Sequence, residues 1–264
     1  MGLTLLAVLC GAVWGEKAEV VVVEADGQRG REDAKNFTSN VTRCLDTFRI
    51  AYDKTSDSAV ERGGLKGYKV AIFPYNPDMS DGQAAAVEQF IAAGGKVVAF
   101  YTIPSRVAGL LGIRAMRYQA KAYEGQFSAM RFKPGVVTGA PTEVKQSSWN
   151  IQAVTIEPPA RVLAEWHDGA GKATGFPAVV VSPNGAFMTH VMLTGDAENR
   201  AQFMLAMLGH LLPSIWQKAV SGALGEIGKV STCKSLDDLA QAVELARKSG
   251  QNVASAESRL GSAR

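Results

Sequence analysis

The sequence predicts an α/β protein: a mostly parallel β-sheet with helices on both faces, an antiparallel β insertion and C-terminal helices. Two observations carry that expectation. Val70-Ala71-Ile72-Phe73 and Val97-Val98-Ala99-Phe100 are short apolar runs without polar alternation, as strands covered on both faces require. Between them, Ala84, Val87, Phe90 and Ile91 recur at helical spacing, after Ser80-Asp81 and before Gly94-Gly95. A side-chain cap opens that helix and glycine, free of a Cβ, closes it. Strand, helix and strand of this length form a right-handed βαβ unit with parallel strands. The chain has 264 residues and is 47% hydrophobic, enough for one large domain, or one domain with an appendage.

Taken in order, the chain begins with an apolar run from Leu3 to Val13, too short to span a bilayer. Val13-Trp14-Gly15 places small residues for cleavage before Glu16. Residues 1–15 are therefore expected to be a signal peptide, and the protein secreted or periplasmic, with no membrane attachment after its removal. The start lacks basic residues, so a buried first strand is the other reading. Leu9 ahead of Cys10 argues against a lipid anchor.

Glu19-Val20-Val21-Val22-Val23-Glu24 is the first strand of the mature protein on its β-branched residues. It ends in the polar loop Ala25-Asp26-Gly27-Gln28, which lacks the glycine spacing of a nucleotide site. A helix starts near Glu32 with Phe37, Val41, Cys44, Leu45 and Phe48 on one face. Arg49-Ile50-Ala51-Tyr52 is either its end or a short second strand. Asn36 and Asn40 begin Asn-X-Thr triplets that lie four apart on this helix and read as incidental.

Beyond Arg114 the pattern changes. Tyr118, Tyr123, Phe127, Met130 and Phe132 fall in an alternating stretch from Arg117 to Pro141, as in antiparallel strands. Ser148-Trp149-Asn150-Ile151 and Arg161 to Trp166 are further strands, with Trp149 and Trp166 expected in the core. Asp168-Gly169-Ala170-Gly171 is a turn, and Asn184-Gly185 joins Phe176–Val181 to Ala186–Leu193 as a hairpin. Helices follow from Glu198 to Leu212 and, after Pro213, through Ile215, Trp216, Val220 and Leu224. A helix opened by Ser235 and a polar stretch from Ser249 make residues 229–264 a helical linker or tail behind a domain over 16–228.

Composition excludes several functions. A net charge of +3 without a dense basic block argues against nucleic acid. Cys44 and Cys233 are far apart, and His167, Asp168 and His210 have no ligand-spaced partners, so neither metal nor cofactor is expected. Asp237-Asp238 reads as a helix first turn, not a glycosidase carboxyl pair. What remains is the carboxyl edge of the parallel strands, where ligands gather in such sheets. Asp26, Tyr75, Asn76, Tyr101, Thr102 and His190 should converge there. They form either a pocket, with rings stacking on a sugar and polar groups bonding its hydroxyls, or a rim packed on a neighbouring domain.

From Glu19 to Pro213 the order of elements resembles the class I glutamine amidotransferase-like fold, a flavodoxin-like α/β sheet. Gly67-Tyr68-Lys69 through Tyr75-Asn76-Pro77, Gly94-Gly95-Lys96 through Tyr101, and Leu110-Leu111-Gly112 resemble a non-catalytic branch. That branch precedes the barrel of bacterial family-10 glycosyl-hydrolase-like proteins and is similar to β-galactosidase trimerisation domains. The amidotransferase reaction needs a cysteine on a strained elbow and a histidine backed by a carboxylate. Counting back from Leu111-Gly112, the elbow falls on Tyr101 or Thr102, neither of which forms a thiolate. His190 stands where the family's histidine would, but the Pro-Glu that follows it is replaced by Val191-Met192. The resemblance thus implies no catalytic residue. Three readings stay open: an accessory or interaction domain whose catalytic barrel lies outside this chain, a carbohydrate- or small-ligand-binding module, and a hydrolase using Thr102 and His190. Its implied partners are a carbohydrate, a downstream barrel in the same polypeptide and a second copy of the chain.

Overall fold

The computed structural model describes residues 17–27, 31–224 and 235–263. In chain order the elements are β1 (Val20–Glu24), α1 (Arg31–Thr47), β2 (Tyr52–Ser56), α2 (Asp57–Val60), β3 (Val70–Phe73), α3 (Asp81–Ala92), β4 (Lys96–Phe100) and α4 (Ser105–Leu110). Then come β5 (Ile113–Ala120), β6 (Phe127–Phe132), β7 (Glu143–Ser148), β8 (Asn150–Ile156), β9 (Arg161–His167), β10 (Ala173–Ser182) and β11 (Gly185–Met188). The helices α5 (Ala197–Leu211), α6 (Ser214–Leu224), α7 (Leu236–Lys248) and α8 (Ala254–Ala263) follow.

Nine strands make one sheet in the order β2-β1-β3-β4-β11-β10-β9-β6-β7. The first five are parallel in the flavodoxin-like order, with the order reversing at β1 and β3. The antiparallel strands extend this same sheet through β10, β9, β6 and β7. Only β5 and β8 pair apart, as a two-stranded ribbon.

Burial explains the apolar runs. Val20 and Val22 of β1, with Val70 and Ile72 of β3, pack with α1, α5 and α6 on one face. Their neighbours Val21, Val23, Ala71 and Phe73 pack with α3 and α4 on the other. Each strand residue therefore enters one of two cores by the two-residue period of the pleat. Helix α3 opens with a reciprocal cap: Ser80 Oγ accepts from the Gln83 amide at 3.1 Å, and Gln83 Oε1 accepts from the Ser80 amide at 2.8 Å. Gly94 then turns the chain at φ +93°. Gly185 is fixed by close approach, because a Cβ there would stand 1.8 Å from the Val97 carbonyl oxygen.

Of the two readings of Arg49 to Tyr52, the strand holds for Tyr52, which opens β2. This edge strand, Tyr-Asp-Lys-Thr-Ser, pairs only with β1 and has no fully buried residue, hence no apolar run to reveal it. The second hairpin arm ends at Met188 rather than Leu193. Helix α8 occupies much of the stretch beyond Ser249, and no residue of α7 is buried. The expected leader over residues 1–15, Cys10, Cys233 and the boundary at 228/229 lie outside the described residues. Among the described residues, no helix is long and apolar enough to cross a membrane.

Candidate functional site

The crest of the parallel sheet is shaped first by its backbone. After β4 the chain reverses at Tyr101, which adopts φ +64°. The Thr102 amide donates to the Phe100 carbonyl at 2.7 Å, closing a three-residue γ-turn, and the Tyr101 amide donates to Met188 O at 2.9 Å. A bulky residue in the left-handed region is strained, and such strain gathers at functional positions. Of the two positions considered for an elbow, Tyr101 is the one with that backbone. The strand–turn–helix bend is present, and it carries a phenol.

Around this turn the rings form a continuous chain. Phe37 meets Tyr75 edge-on with centroids 5.4 Å apart, and Tyr75 lies 6.2 Å from Tyr101. Tyr101 lies 5.8 Å from His190, which Trp149 meets at 4.7 Å and 86°. With Asp33, Asn150 and Val191 these residues line a cleft of about 250 Å³. Its walls come from α1, the ends of β3, β4 and β11, and the break between β7 and β8. Burial, then the neighbouring Tyr118 and Tyr75, push the Tyr101 phenol upward.

His190 is buried and neutral. Burial is the main cause holding its imidazole down at about 4, with Arg200 adding to the shift against the Val191 carbonyl. Its Nδ1 lies 3.2 Å from Gln146 Nε2 and 3.1 Å from Val191 O. Gln146 is oriented from behind, because the buried Arg200 guanidinium donates to its Oε1. Arg200 also donates to the carbonyls of Gly195 and Lys145. An arginine is a donor only, so the Gln146 amide must present its N–H groups to Val191 O, at 2.9 Å, and towards the imidazole. No carboxylate hydrogen-bonds the His190 ring among the described residues.

Asp26 and Asn76 reach the same edge of the sheet but do not line the cleft. Asp26 follows β1, and its amide donates to Asp57 Oδ1 at 3.1 Å, while Ser58 Oγ donates to its carboxylate. Asp57 is 5% exposed. Burial first, and then Asp26 beside it, raise Asp57 to about 6, while the contacts to Asp57 and Ser58 hold Asp26 well below the usual carboxylate range. The two carboxyls act as a pair with one proton to share. Asn76 is 1% exposed and lies near enough to Asp57 to favour its charged form. Even so, neither of its side-chain amide atoms meets a partner at hydrogen-bond geometry.

Of the six expected site residues, Tyr75, Tyr101 and His190 line the cleft, Asp26 and Asn76 stand with Asp57, and Thr102 lines neither. Trp149 corrects the expectation of a core residue: it is 51% exposed, at the strand break, with its ring against His190. Trp166 is fully buried and donates to Thr189 Oγ1 at 2.8 Å. Asp33, Phe37, Asn150 and Asp57 were not expected at the crest. Phe37 and Asp33 sit four apart on α1, one turn of helix, and that spacing is the signal that could have placed them together. Cys44 is buried on α1, away from the cleft, and burial pushes its thiol up to about 11.

One solved structure shares this architecture, and others align more loosely. A ThuA-like protein from Bacteroides uniformis aligns over 80% of this chain and 95% of its own, with a TM-score of 0.55 and 16% identity. A GMP synthase subunit from Thermoplasma acidophilum covers 72% of this chain and 94% of its own (TM-score 0.43, 12% identity). The glutaminase domain of Trypanosoma brucei CTPS with bound acivicin covers 76% and 93% (TM-score 0.43, 10% identity). No protein-family model matches the sequence, and no curated relative matches it. The fold is a flavodoxin-like α/β sheet, similar to that of the ThuA-like protein.

Proposed function

We propose that this chain is a non-catalytic amidotransferase-like domain that binds a small carbohydrate in its crest cleft. The observation that carries the reading is the run of five rings from Phe37 to Trp149 around a cleft that also holds Asn150. Aromatic faces take the C–H surface of a sugar, and polar groups at the rim take its hydroxyls. At about 250 Å³ the cleft suits one sugar ring, being smaller than the roughly 300–1,000 Å³ of sites for drug-sized ligands. Asn150 Oδ1 is buried without a partner, an acceptor that a hydroxyl donor would satisfy.

The chemistry of the elbow favours binding over hydrolysis. Tyr101 offers no thiolate, Thr102 does not line the cleft, and His190 is neutral with no carboxylate behind it among the described residues. We place the domain as an accessory module of a secreted glycosyl-hydrolase-like protein whose barrel lies outside this chain. That placement is supported by the sequence resemblance alone. Calorimetric titration of the full chain with a panel of mono- and oligosaccharides tests the binding function. Saturable heat that is lost in Trp149→Ala and Tyr75→Ala is expected, and the absence of heat across the panel would overturn it.

A further inference from the structure

The cleft has a one-sided electrostatic character. Among the described residues its lining contains one carboxylate, Asp33, and no lysine or arginine. The faces of Phe37, Tyr75, Tyr101 and Trp149 carry the negative side of the aromatic quadrupole. His190 adds no positive charge, being neutral through burial. The buried Arg200 guanidinium is capped by the carbonyl oxygens of Gly195, Lys145 and the Gln146 side chain. Among the described residues, the one buried polar atom of the lining that lacks a partner, Asn150 Oδ1, is an acceptor. Asn150 is 8% exposed, so water does little to satisfy it. Beside the hydroxyl and N–H donors of Tyr75, Tyr101 and Trp149, the cleft thus offers a carboxylate, a buried acceptor and aromatic rings to a positively charged donor.

We propose that the ligand of the crest cleft is an amino sugar, its protonated amine held between the Asp33 carboxylate, Asn150 Oδ1 and the aromatic faces. The inference rests on the cleft being a sugar site and adds the charge of the sugar. An N-acetylated sugar of the same ring lacks the cation and adds bulk to a small cleft. A neutral hexose can stack on the rings but gains nothing from Asp33 beyond a hydrogen bond.

Glucosamine, N-acetylglucosamine and glucose titrated separately into the full chain decide the matter. Glucosamine should bind roughly tenfold tighter than either neutral sugar, with the preference shrinking as salt is raised. Asp33 is exposed in the first turn of α1, so Asp33→Asn leaves the core untouched and should cut the preference for glucosamine. Equal affinity for glucosamine and glucose would overturn the amino-sugar inference while leaving the sugar site standing. No binding of any of the three, with no response to the wider panel, would remove both.

Discussion

Replacing Asp57 by asparagine separates the electrostatics of the crest from its shape. Asp57 is 5% exposed, beside Asp26, and held at about 6 against an ordinary 3.8. A carboxyl whose pKa is raised on folding contributes stability that is fully present below its unfolded value and is lost as pH rises through the folded one. Here the loss should run from about pH 4 to about pH 7. The displacement alone would amount to about 3 kcal/mol. Because Asp26 is exposed and water screens its side of the pair, we expect about 1–2 kcal/mol. Asparagine can still accept the Asp26 amide through its Oδ1, and its N–H can donate to the Asp26 carboxylate. Asp57→Asn should therefore match the wild type near pH 4 and exceed it by about 1–2 kcal/mol near pH 7. Urea unfolding followed by circular dichroism at a series of pH values reads the difference. Parallel stability curves for the two proteins would refute the shared-proton account.

Other consequences follow from the same geometry. Gly185→Ala drives a Cβ into the Val97 carbonyl and should cost more than about 3 kcal/mol, seen as a collapse of the thermal midpoint. The His190 imidazole should stay neutral down to about pH 5 in a histidine NMR titration, and Arg200→Met should raise its pKa by removing a charge that holds it down. Tyr101→Cys places a thiol at the elbow, yet glutamine turnover should not exceed that of Tyr101→Ala, because no carboxylate among the described residues backs His190. Measurable glutaminase activity in that variant would contradict the non-catalytic reading.

The parallel half of the sheet was legible because its strands are buried on both faces, so Val70–Phe73 and Val97–Phe100 stand out as unbroken apolar runs. Strand β2 was not, since an edge strand with a charged sequence has no such run. At the crest, the residues at the ends of β3 and β4 follow from chain order, which is why Tyr75 and Tyr101 were expected. Trp149 defeats the pattern because a tryptophan within alternating residues looks the same whether its ring enters the core or, at a strand break, turns outward. Asp57 and Gln146 gave no signal, because a lone polar residue acquires its role only from tertiary neighbours. Asp26 shows the limit of the topological rule: it reaches the right edge and joins a carboxyl partner there rather than the aromatic cleft.

The most direct test of a ligand-binding crest is the indole N–H resonance of Trp149 in NMR spectra of the isotope-labelled chain, assigned by its disappearance in Trp149→Phe. Trp149 is half exposed at the mouth of the cleft while Trp166 is buried, so the two indoles report on different places. Titration with glucosamine should shift the Trp149 signal saturably and leave that of Trp166 in place. An unmoved Trp149 signal, with sugars of every class added to excess, would contradict the account.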